Sequence, residues 1–221
     1  MRPIYSLLFL ALLPFVVARL YLKGRALPDY RRRIPERFAC YRFSAAPEAP
    51  IWIHAVSVGE CEAAFPLVRR LQREQPGIPI LMTCTTPTGS SRIQSVLGHS
   101  VFHVYLPYDL PYIAKKFFHF FRPRLGIIME TELWPNLFAT AHRMKIPLLI
   151  ANGRLSERSM RGYARMASLI VPTLRAVQRI AAQSESDATR YLQIGAMESA
   201  IINAGNIKYD IEWNEDQAKE S

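Results

Sequence analysis

Short apolar runs alternate with amphipathic stretches along residues 51–204. The apolar runs predict seven strands, because strands buried on both faces of a parallel sheet are apolar throughout. The stretches between them space apolar residues three and four positions apart, as at Ala64, Val68 and Leu71, and predict helices. The predicted strands are Ile51–Val56, Ile78–Thr86, Val101–Leu106, Leu125–Glu130, Ile146–Asn152, Arg179–Gln183 and Ala200–Ala204.

Six helices are predicted between these strands: Glu60–Arg73, Gly89–Leu97, Pro111–Phe121, Leu133–Met144, Ser156–Val177 and Ser186–Ile194. Strands that alternate with helices favour an α/β fold with a doubly wound parallel sheet. We therefore predict one Rossmann-like domain over residues 51–210. The stretch Ala45–Pro50 is typical of a linker, and residues 211–221 form a polar tail.

The first apolar run, Ile4–Ala18, contains no charged residue. As a helix it is roughly 22 Å long, short of a hydrocarbon core of about 30 Å. Extension to Leu22, with Arg19 directed to the membrane surface, brings it to roughly 28 Å. A short transmembrane helix and an interfacial anchor both fit. A cleaved signal peptide fits less well, because the positive charge follows the apolar run instead of preceding it. We predict a membrane anchor helix over residues 1–22.

Positive charge is concentrated just after this run. The chain carries a formal charge of +10, of which residues 1–43 contribute +7 through nine basic and two acidic side chains. Such a basic juxtamembrane segment, here residues 23–50 with the linker, predicts a cytoplasmic location for the rest of the chain and contact with anionic membrane lipid. In a simpler interpretation these arginines only fix the topology. The remaining +3 is too small to favour nucleic-acid binding.

The predicted helix Pro111–Phe121 is apolar on one face and basic on the other. Its phenylalanines oppose Lys115, Lys116 and His119. A membrane-surface helix has this pattern, and so does a core-facing helix with a solvated basic face, which is the commoner case.

Hydroxyls, glycines and carboxylates follow five consecutive predicted strands. In a doubly wound sheet the loops beyond the carboxyl ends of the strands form the functional site. This composition suits a polyol or a phosphate, although the same residue types also serve ordinary turns and helix caps. We take the following as candidate substrate-binding residues: Ser57, Gly59, Thr85, Thr86, Thr88, Gly89, Glu132, Asn152 and Arg154.

Two carboxylates are the candidate catalytic residues, Glu60 and Glu130. Glu60 is predicted to start a helix at the end of the first strand, where a carboxylate can take a proton from a hydroxyl. A first-turn acid that complements the helix dipole is the alternative interpretation. Glu130 and Glu132 lie two residues apart in a strand-to-loop segment and point to the same side, unless one of them caps the next helix.

Several other classes of site are disfavoured. The loop Thr85–Ser90 lacks the GxxxxGK[ST] pattern of a P-loop, and residues 57–60 lack the GxGxxG of a dinucleotide-binding fold. The five histidines show no metal-ligand spacing, so we predict neither a metal nor a cofactor. The three cysteines form no CxxC pattern and are read as reduced, mostly buried thiols.

Five runs of the sequence resemble those of the 3-deoxy-D-manno-octulosonic acid (Kdo) transferases of lipopolysaccharide inner-core assembly. They are WIHAVSVGE (Trp52–Glu60), TTPTGS (Thr85–Ser90), METELWPN (Met129–Asn136), NGRLSERS (Asn152–Ser159) and GNIKYD (Gly205–Asp210). The resemblance covers nearly the whole chain and includes the apolar N-terminal run. It implies the N-terminal domain of a GT-B glycosyltransferase, in which two Rossmann-like domains face each other across a cleft.

The resemblance also implies an activity, the transfer of Kdo from CMP-Kdo to a lipid A precursor on the cytoplasmic face of the bacterial inner membrane, without a metal. It implies that Glu60 is the general base and that Glu130 lines the site. The chain ends just past GNIKYD, where the second, nucleotide-binding domain of the family begins. We therefore expect this chain to be the acceptor-side half of such an enzyme. The alternative is a catalytically incomplete, membrane-anchored fragment that binds acidic lipid or a partner.

Overall fold

A computed structural model describes residues 1–43 and 46–207 of the chain. In these residues seven parallel strands form one sheet in the order β3-β2-β1-β4-β5-β6-β7. The strands are β1 (Ile51–His54), β2 (Ile80–Cys84), β3 (Phe102–Tyr105), β4 (Leu125–Met129), β5 (Leu148–Gly153), β6 (Arg179–Ala182) and β7 (Ile201–Asn203). The predicted fold class, a Rossmann-like doubly wound sheet, is confirmed. The polar tail, Ala45 of the linker and the last three residues of GNIKYD lie outside the described residues.

Eight α-helices accompany the sheet in the described part of the chain. They are α1 (Arg2–Lys23), α2 (Val58–Glu74), α3 (Pro87–Leu97), α4 (Pro111–Phe121), α5 (Pro135–Arg143), α6 (Glu157–Ala164), α7 (Ala167–Leu174) and α8 (Glu185–Gln193). Short 3-10 helices cover Pro28–Arg31, Ile34–Phe38, Gly98–Ser100 and Glu198–Ala200. By length and composition α1 is the one described helix that qualifies as a membrane span.

The two faces of the sheet carry separate cores, because successive side chains of a strand point to opposite faces. On β1, Ile51 and Ile53 pack with α2 and α3 on one face. Trp52 packs with α4, α5 and α7 on the other. Helices on both faces leave the two ends of the strands, and not the faces of the sheet, for function.

Helix α4 faces the core. Its Phe117 and Phe118 are fully buried and meet the Trp52 ring at centroid distances of 5.1 and 5.6 Å. Gly126 of β4 lies beside Trp52 in the register, and a Cβ atom at that position would stand 2.8 Å from the indole. A side chain at position 126 would therefore collide with Trp52 and with Leu148. The core-facing interpretation of this helix is confirmed for these side chains.

The single helix predicted over Ser156–Val177 is wrong, because the chain turns at residues 165–166 and forms α6 and α7. The two helices contact different neighbours, α8 for α6 and α5 for α7. Helix α7 buries Ile170 and Leu174, whereas α6 buries no residue completely. One straight helix cannot reach both neighbours, so tertiary packing overrides the continuous helical pattern.

Candidate active site

The order of the strands places a crevice between β1 and β4. Strands β2 and β3 follow on one side of β1, and β5 to β7 follow on the other side of β4. Ligands of doubly wound sheets bind at such a reversal, outside the carboxyl ends of the strands. Glu60 follows β1 and Glu130 follows β4. The two candidate catalytic carboxylates therefore lie just beyond the ends of β1 and β4, on either side of the reversal.

Glu60 is held in the first turn of α2 by a reciprocal arrangement with Ser57. The Ser57 hydroxyl accepts from the Glu60 backbone N–H at 3.4 Å and donates to Oε1 at 3.0 Å. The Val56 N–H donates to Oε2 at 2.8 Å. This is close to a capping box, which satisfies helix-end donors. Each carboxylate oxygen keeps a further lone pair, so the geometry fixes the group without using up its capacity to accept a proton.

The loop after β2 is tied to the loop after β1. The hydroxyls of Thr85 and Thr86 both donate to the Val56 carbonyl, at 3.4 and 3.3 Å. The Thr86 hydroxyl also caps α3 by accepting from the Gly89 N–H at 3.1 Å. Thr88 is exposed and donates to the Thr86 hydroxyl. The hydroxyls of Thr85 and Thr86 thus serve as a helix cap and as links between the two loops. Thr88 is the threonine of this segment that is exposed to solvent. Gly59 is likewise exposed in the first turn of α2.

Glu130 has a left-handed backbone, with φ of 54°. Its N–H donates to the Ala151 carbonyl at 2.9 Å, and its own carbonyl accepts from the Tyr191 hydroxyl at 3.4 Å. A non-glycine residue in this region costs about 1–2 kcal/mol and persists when the surroundings hold it there. Such strain is common at functional sites, because it orients a side chain that a relaxed backbone would turn away.

We expect Glu130→Gly to be more stable than Glu130→Ala by on the order of 1 kcal/mol, although glycine normally destabilises. Both variants lose the side chain, so the difference isolates the backbone strain. Chemical denaturation of the detergent-solubilised chain measures it. Ser91, exposed inside α3, is the control, since Ser91→Gly should be less stable than Ser91→Ala. A Glu130→Gly variant that is less stable than Glu130→Ala, by as much as at Ser91, would show that the backbone is unstrained.

Glu132 is the candidate site residue whose protonation is most perturbed. Burial raises the pKa of its carboxyl to about 7, with further contributions from the charges of Glu60 and Glu130. The three carboxylates thus lie close enough to interact electrostatically. Tyr163 of α6 lies near Glu132, and its pKa is raised by burial and, to a smaller extent, by that carboxylate. Near neutral pH the Glu132 carboxyl is therefore partly protonated.

The raised pKa predicts a pH-dependent stability. Between pH 4.5, the ordinary pKa of the group, and pH 7, the folded state binds more protons than the unfolded state. The free energy of unfolding therefore falls as the pH rises through this window. Glu132→Gln removes this loss. As the pH rises from 4.5 to 8, the free energy of unfolding of the variant should therefore increase by up to about 3 kcal/mol relative to that of the unmodified chain. Glu48→Gln, which removes an exposed carboxylate, controls for net charge. An identical increase in the free energy of unfolding of both variants would contradict a raised pKa at Glu132.

The loops after β4 and β5 are joined through α8, which the sequence did not reveal. The Thr131 hydroxyl contacts the Arg154 carbonyl and lies 2.7 Å from the hydroxyl of Tyr191, a buried residue of α8. Asn152 is buried with φ of 56°, and its Oδ1 accepts from the Ile207 N–H at 3.2 Å. The Arg154 side chain is exposed. Asn152 thus organises the loop, and the exposed Arg154 is available to a ligand.

The loop after β3 contains a buried carboxylate, Asp109, that was not among the candidate site residues. Asp109 is fully buried, and its two oxygens accept from the N–H groups of Asn136 and Leu137 at 3.0 and 2.7 Å. Its carbonyl accepts from Asn136 Nδ2 at 2.7 Å. Asp109 therefore caps α5, the helix that follows the Glu130–Trp134 loop. No local sequence signal marks this role, because the two partners are 27 residues apart.

A cavity of about 500 Å³ lies elsewhere, and none of the candidate site residues lines it. It is bordered by Arg33, Arg42, Gln94 and His103 among others. Within residues 1–43 and 46–207, no three His, Cys, Asp or Glu side chains are grouped to hold a metal ion. Of the cysteines, Cys61 and Cys84 are buried and Cys40 is exposed, and none forms a disulfide. The carboxylate cluster at the strand reversal is therefore the candidate site.

The fold is shared with two solved epimerases. UDP-GlcNAc 2-epimerase from Neisseria meningitidis, solved with UDP-GlcNAc bound, matches with a TM-score of 0.53 and 14% identity, over 77% of this chain and 53% of the epimerase chain. A second UDP-N-acetylglucosamine 2-epimerase matches with a TM-score of 0.52 and 14% identity, over 72% of this chain and 47% of the other. At these identities the likeness shows the Rossmann-like fold alone.

The sequence comparisons are more specific. The family model described as 3-Deoxy-D-manno-octulosonic-acid transferase (kdotransferase) matches residues 32–211, and the chain belongs to this family. The 3-deoxy-D-manno-octulosonic acid transferase of Haemophilus influenzae is 42% identical over 216 residues, which cover 97% of this chain and 51% of the relative. The Bordetella pertussis transferase is 33% identical over 226 residues, 99% of this chain and 52% of the relative. The chain spans about half the length of these curated relatives.

Proposed function

We propose that this chain is the acceptor-side domain of a membrane-anchored glycosyltransferase that moves Kdo from CMP-Kdo to a lipid A precursor. The observation that carries the proposal is the carboxylate cluster of Glu60, Glu130 and Glu132 at the strand reversal of a chain in this family. The domain extends over residues 51–210, and the nucleotide sugar is held mainly by the second half that the relatives possess. The protein acts at the cytoplasmic face of the bacterial inner membrane, where basic residues 23–43 meet anionic lipid.

Glu60 serves as the general base. It takes the proton of an acceptor hydroxyl while that oxygen forms a bond to the anomeric carbon of Kdo. The bond from this carbon to the phosphate oxygen breaks, and its electron pair leaves with CMP. The Val56 N–H and the Ser57 hydroxyl hold the carboxylate in one orientation for this transfer. The step needs no metal and no further reactant.

Around this base, Glu130 lines the site and Glu132 exchanges a proton near neutral pH. Binding of the acceptor is assigned to Ser57, Gly59, Thr85, Thr86, Thr88, Gly89, Asn152 and Arg154. The support for this assignment is their position at the carboxyl ends of three strands around the reversal, β1, β2 and β5. Exposed Thr88 and Arg154 are suited to sugar hydroxyls and to a phosphate of the acceptor, respectively.

The test uses a reconstituted enzyme, defined as this chain fused to the carboxyl-terminal half of the Haemophilus influenzae relative, or joined to its own continuation where one exists. Incubation with CMP-Kdo and a lipid A precursor should yield a product heavier by Kdo, detected by mass spectrometry. A product that forms without this chain, or no product from a folded reconstituted enzyme, would contradict the proposal.

A non-catalytic role is the second candidate, and the basic segment after an exposed apolar helix favours it. In this case the chain binds acidic lipid without transferring a sugar. Flotation with liposomes containing anionic lipid, with and without residues 1–43, measures the binding. Loss of binding at high salt and on deletion supports an electrostatic contribution, because salt screens exposed charges. Absence of transfer in the reconstituted enzyme, together with such binding, would favour this role.

A further inference from the structure

Helix α1 lies along the folded domain. Its partly buried residues recur at three and four positions and form one stripe: Tyr5, Ser6, Phe9, Leu13, Val17 and Leu20. Phe9 and Leu13 pack against the core that contains α4 and α5. The other sides of the helix are apolar and open, with Leu7 68% and Phe15 73% exposed. One side of the helix thus meets the domain through residues of its amino-terminal half, among them Ser6, Phe9 and Leu13, while its last turns contact the 3-10 helix Pro28–Arg31. The apolar side chains on its other sides are exposed.

The first turns of α1 reach the carboxyl edge of the sheet. Asn136 Nδ2 donates to the Ser6 hydroxyl at 3.0 Å, and the Tyr5 side chain lies close enough to Asp109 to affect the pKa of that carboxyl. The Phe9 ring lies 6.1 Å from the ring of Tyr108. Asp109 and Asn136 are buried residues of the fold, next to the loop that carries the carboxylates. The amino end of α1 is therefore attached to the same scaffold that holds the candidate site.

This attachment is incompatible with a helix that crosses the bilayer. At 1.5 Å per residue, Ser6 and Lys23 are about 26 Å apart along the helix. In a spanning helix with Lys23 at the cytoplasmic surface, Ser6 lies near the far side of a hydrocarbon core about 30 Å thick. Its partner Asn136 belongs to a domain with a charged, solvated exterior that stays outside the bilayer. Ser6 can contact Asn136 while the domain stays outside the bilayer only when α1 runs parallel to the membrane surface.

We propose that α1 is an in-plane anchor, which lies in the cytoplasmic leaflet with its open apolar sides among the lipids and its stripe docked on the domain. The occupant of the open sides is a leaflet containing anionic lipid. Arg2, Arg19 and Lys23 place positive charge at both ends of the helix, as in interfacial anchors. This inference rests on the proposed membrane attachment and not on the transferase activity. An in-plane α1 docked on the domain holds the carboxylate cluster beside the lipid surface.

Cross-linking in membranes tests the docking. In a Cys40→Ser background, the Ser6→Cys/Asn136→Cys pair is treated with a short thiosulfonate cross-linker. It should react at least about tenfold more than the Leu7→Cys/Asn136→Cys pair, because adjacent helical residues point about 100° apart. Equal, low cross-linking of both pairs in a membrane-bound, folded protein would overturn the proposal.

Labelling from one side of the membrane gives an independent measurement that leaves Asn136 intact. Pro3→Cys is exposed at the amino end of α1, and native Cys40, also exposed, reports the side of the domain. An impermeant maleimide should label neither residue in intact spheroplasts of a Gram-negative host, and both in inverted inner-membrane vesicles. Labelling of Pro3→Cys, but not of Cys40, in spheroplasts would show that α1 spans the bilayer and would refute the in-plane anchor.

Discussion

Glu60→Gln is expected to lower the rate of Kdo transfer by the reconstituted enzyme by about 100- to 10,000-fold, the usual contribution of a general base. The amide cannot take the proton of the acceptor hydroxyl at neutral pH. Glutamine is nevertheless accepted at this position of a capping box, and it keeps one oxygen that can accept a hydrogen bond from Val56 or Ser57. The variant should therefore fold, so that the lost activity reports on chemistry.

The measurement is the initial rate of Kdo incorporation at saturating CMP-Kdo, with the melting temperature recorded in parallel. Glu62→Gln is the matched control, since Glu62 lies in the same helix but is exposed and paired with Arg92. It should retain nearly full activity. A Glu60→Gln enzyme with an unchanged rate would show that the carboxylate is only a helix cap. A strongly lowered melting temperature would show that its main contribution is structural.

Much of the fold could be predicted from the sequence, because parallel strands buried on both faces are readable as apolar runs. Strand β3 lies inside the predicted Val101–Leu106, and β6 inside the predicted Arg179–Gln183. Strand β2 is shorter than predicted, because residues 78 and 79 precede the ladder and residues 85 and 86 turn toward α3. The ends of elements depend on capping contacts such as that of Thr86, which an apolar pattern does not contain.

The candidate site was partly predictable for a related reason. The residue types at the ends of β1, β2, β4 and β5 are set by local chemistry, and the topology then brings these loops to one edge. The Ser57-x-x-Glu60 pattern is a capping signature, and it would have indicated the contact that orients Glu60. The left-handed backbone of Glu130 has no such signature. It arises from the Ala151 carbonyl and the Tyr191 hydroxyl, which are distant in sequence.

Asp109→Ala is expected to destabilise the chain by about 3–5 kcal/mol, because it leaves the N–H groups of Asn136 and Leu137 buried without acceptors. For a chain of this length, the melting temperature should fall by roughly 10 °C. Asp109→Asn keeps one acceptor oxygen and should lose about half as much. Thermal unfolding of the detergent-solubilised chain measures both. Asp29→Ala, which removes an exposed pair with Arg32, should cost less than about 1 kcal/mol.

The size of this loss of stability shows whether Asp109 only caps α5 or also connects α1 with the Glu130–Trp134 loop. If Asp109 were an ordinary, solvent-accessible cap of α5, its loss would cost only about 1 kcal/mol. Asp109 also lies beside Tyr5 of α1, and Asn136 contacts both Asp109 and Ser6. Its removal should therefore loosen the anchor and the Glu130–Trp134 loop together. A drop of only a degree or two, with α1 still cross-linked to the domain, would show that the membrane helix and the candidate site are held independently.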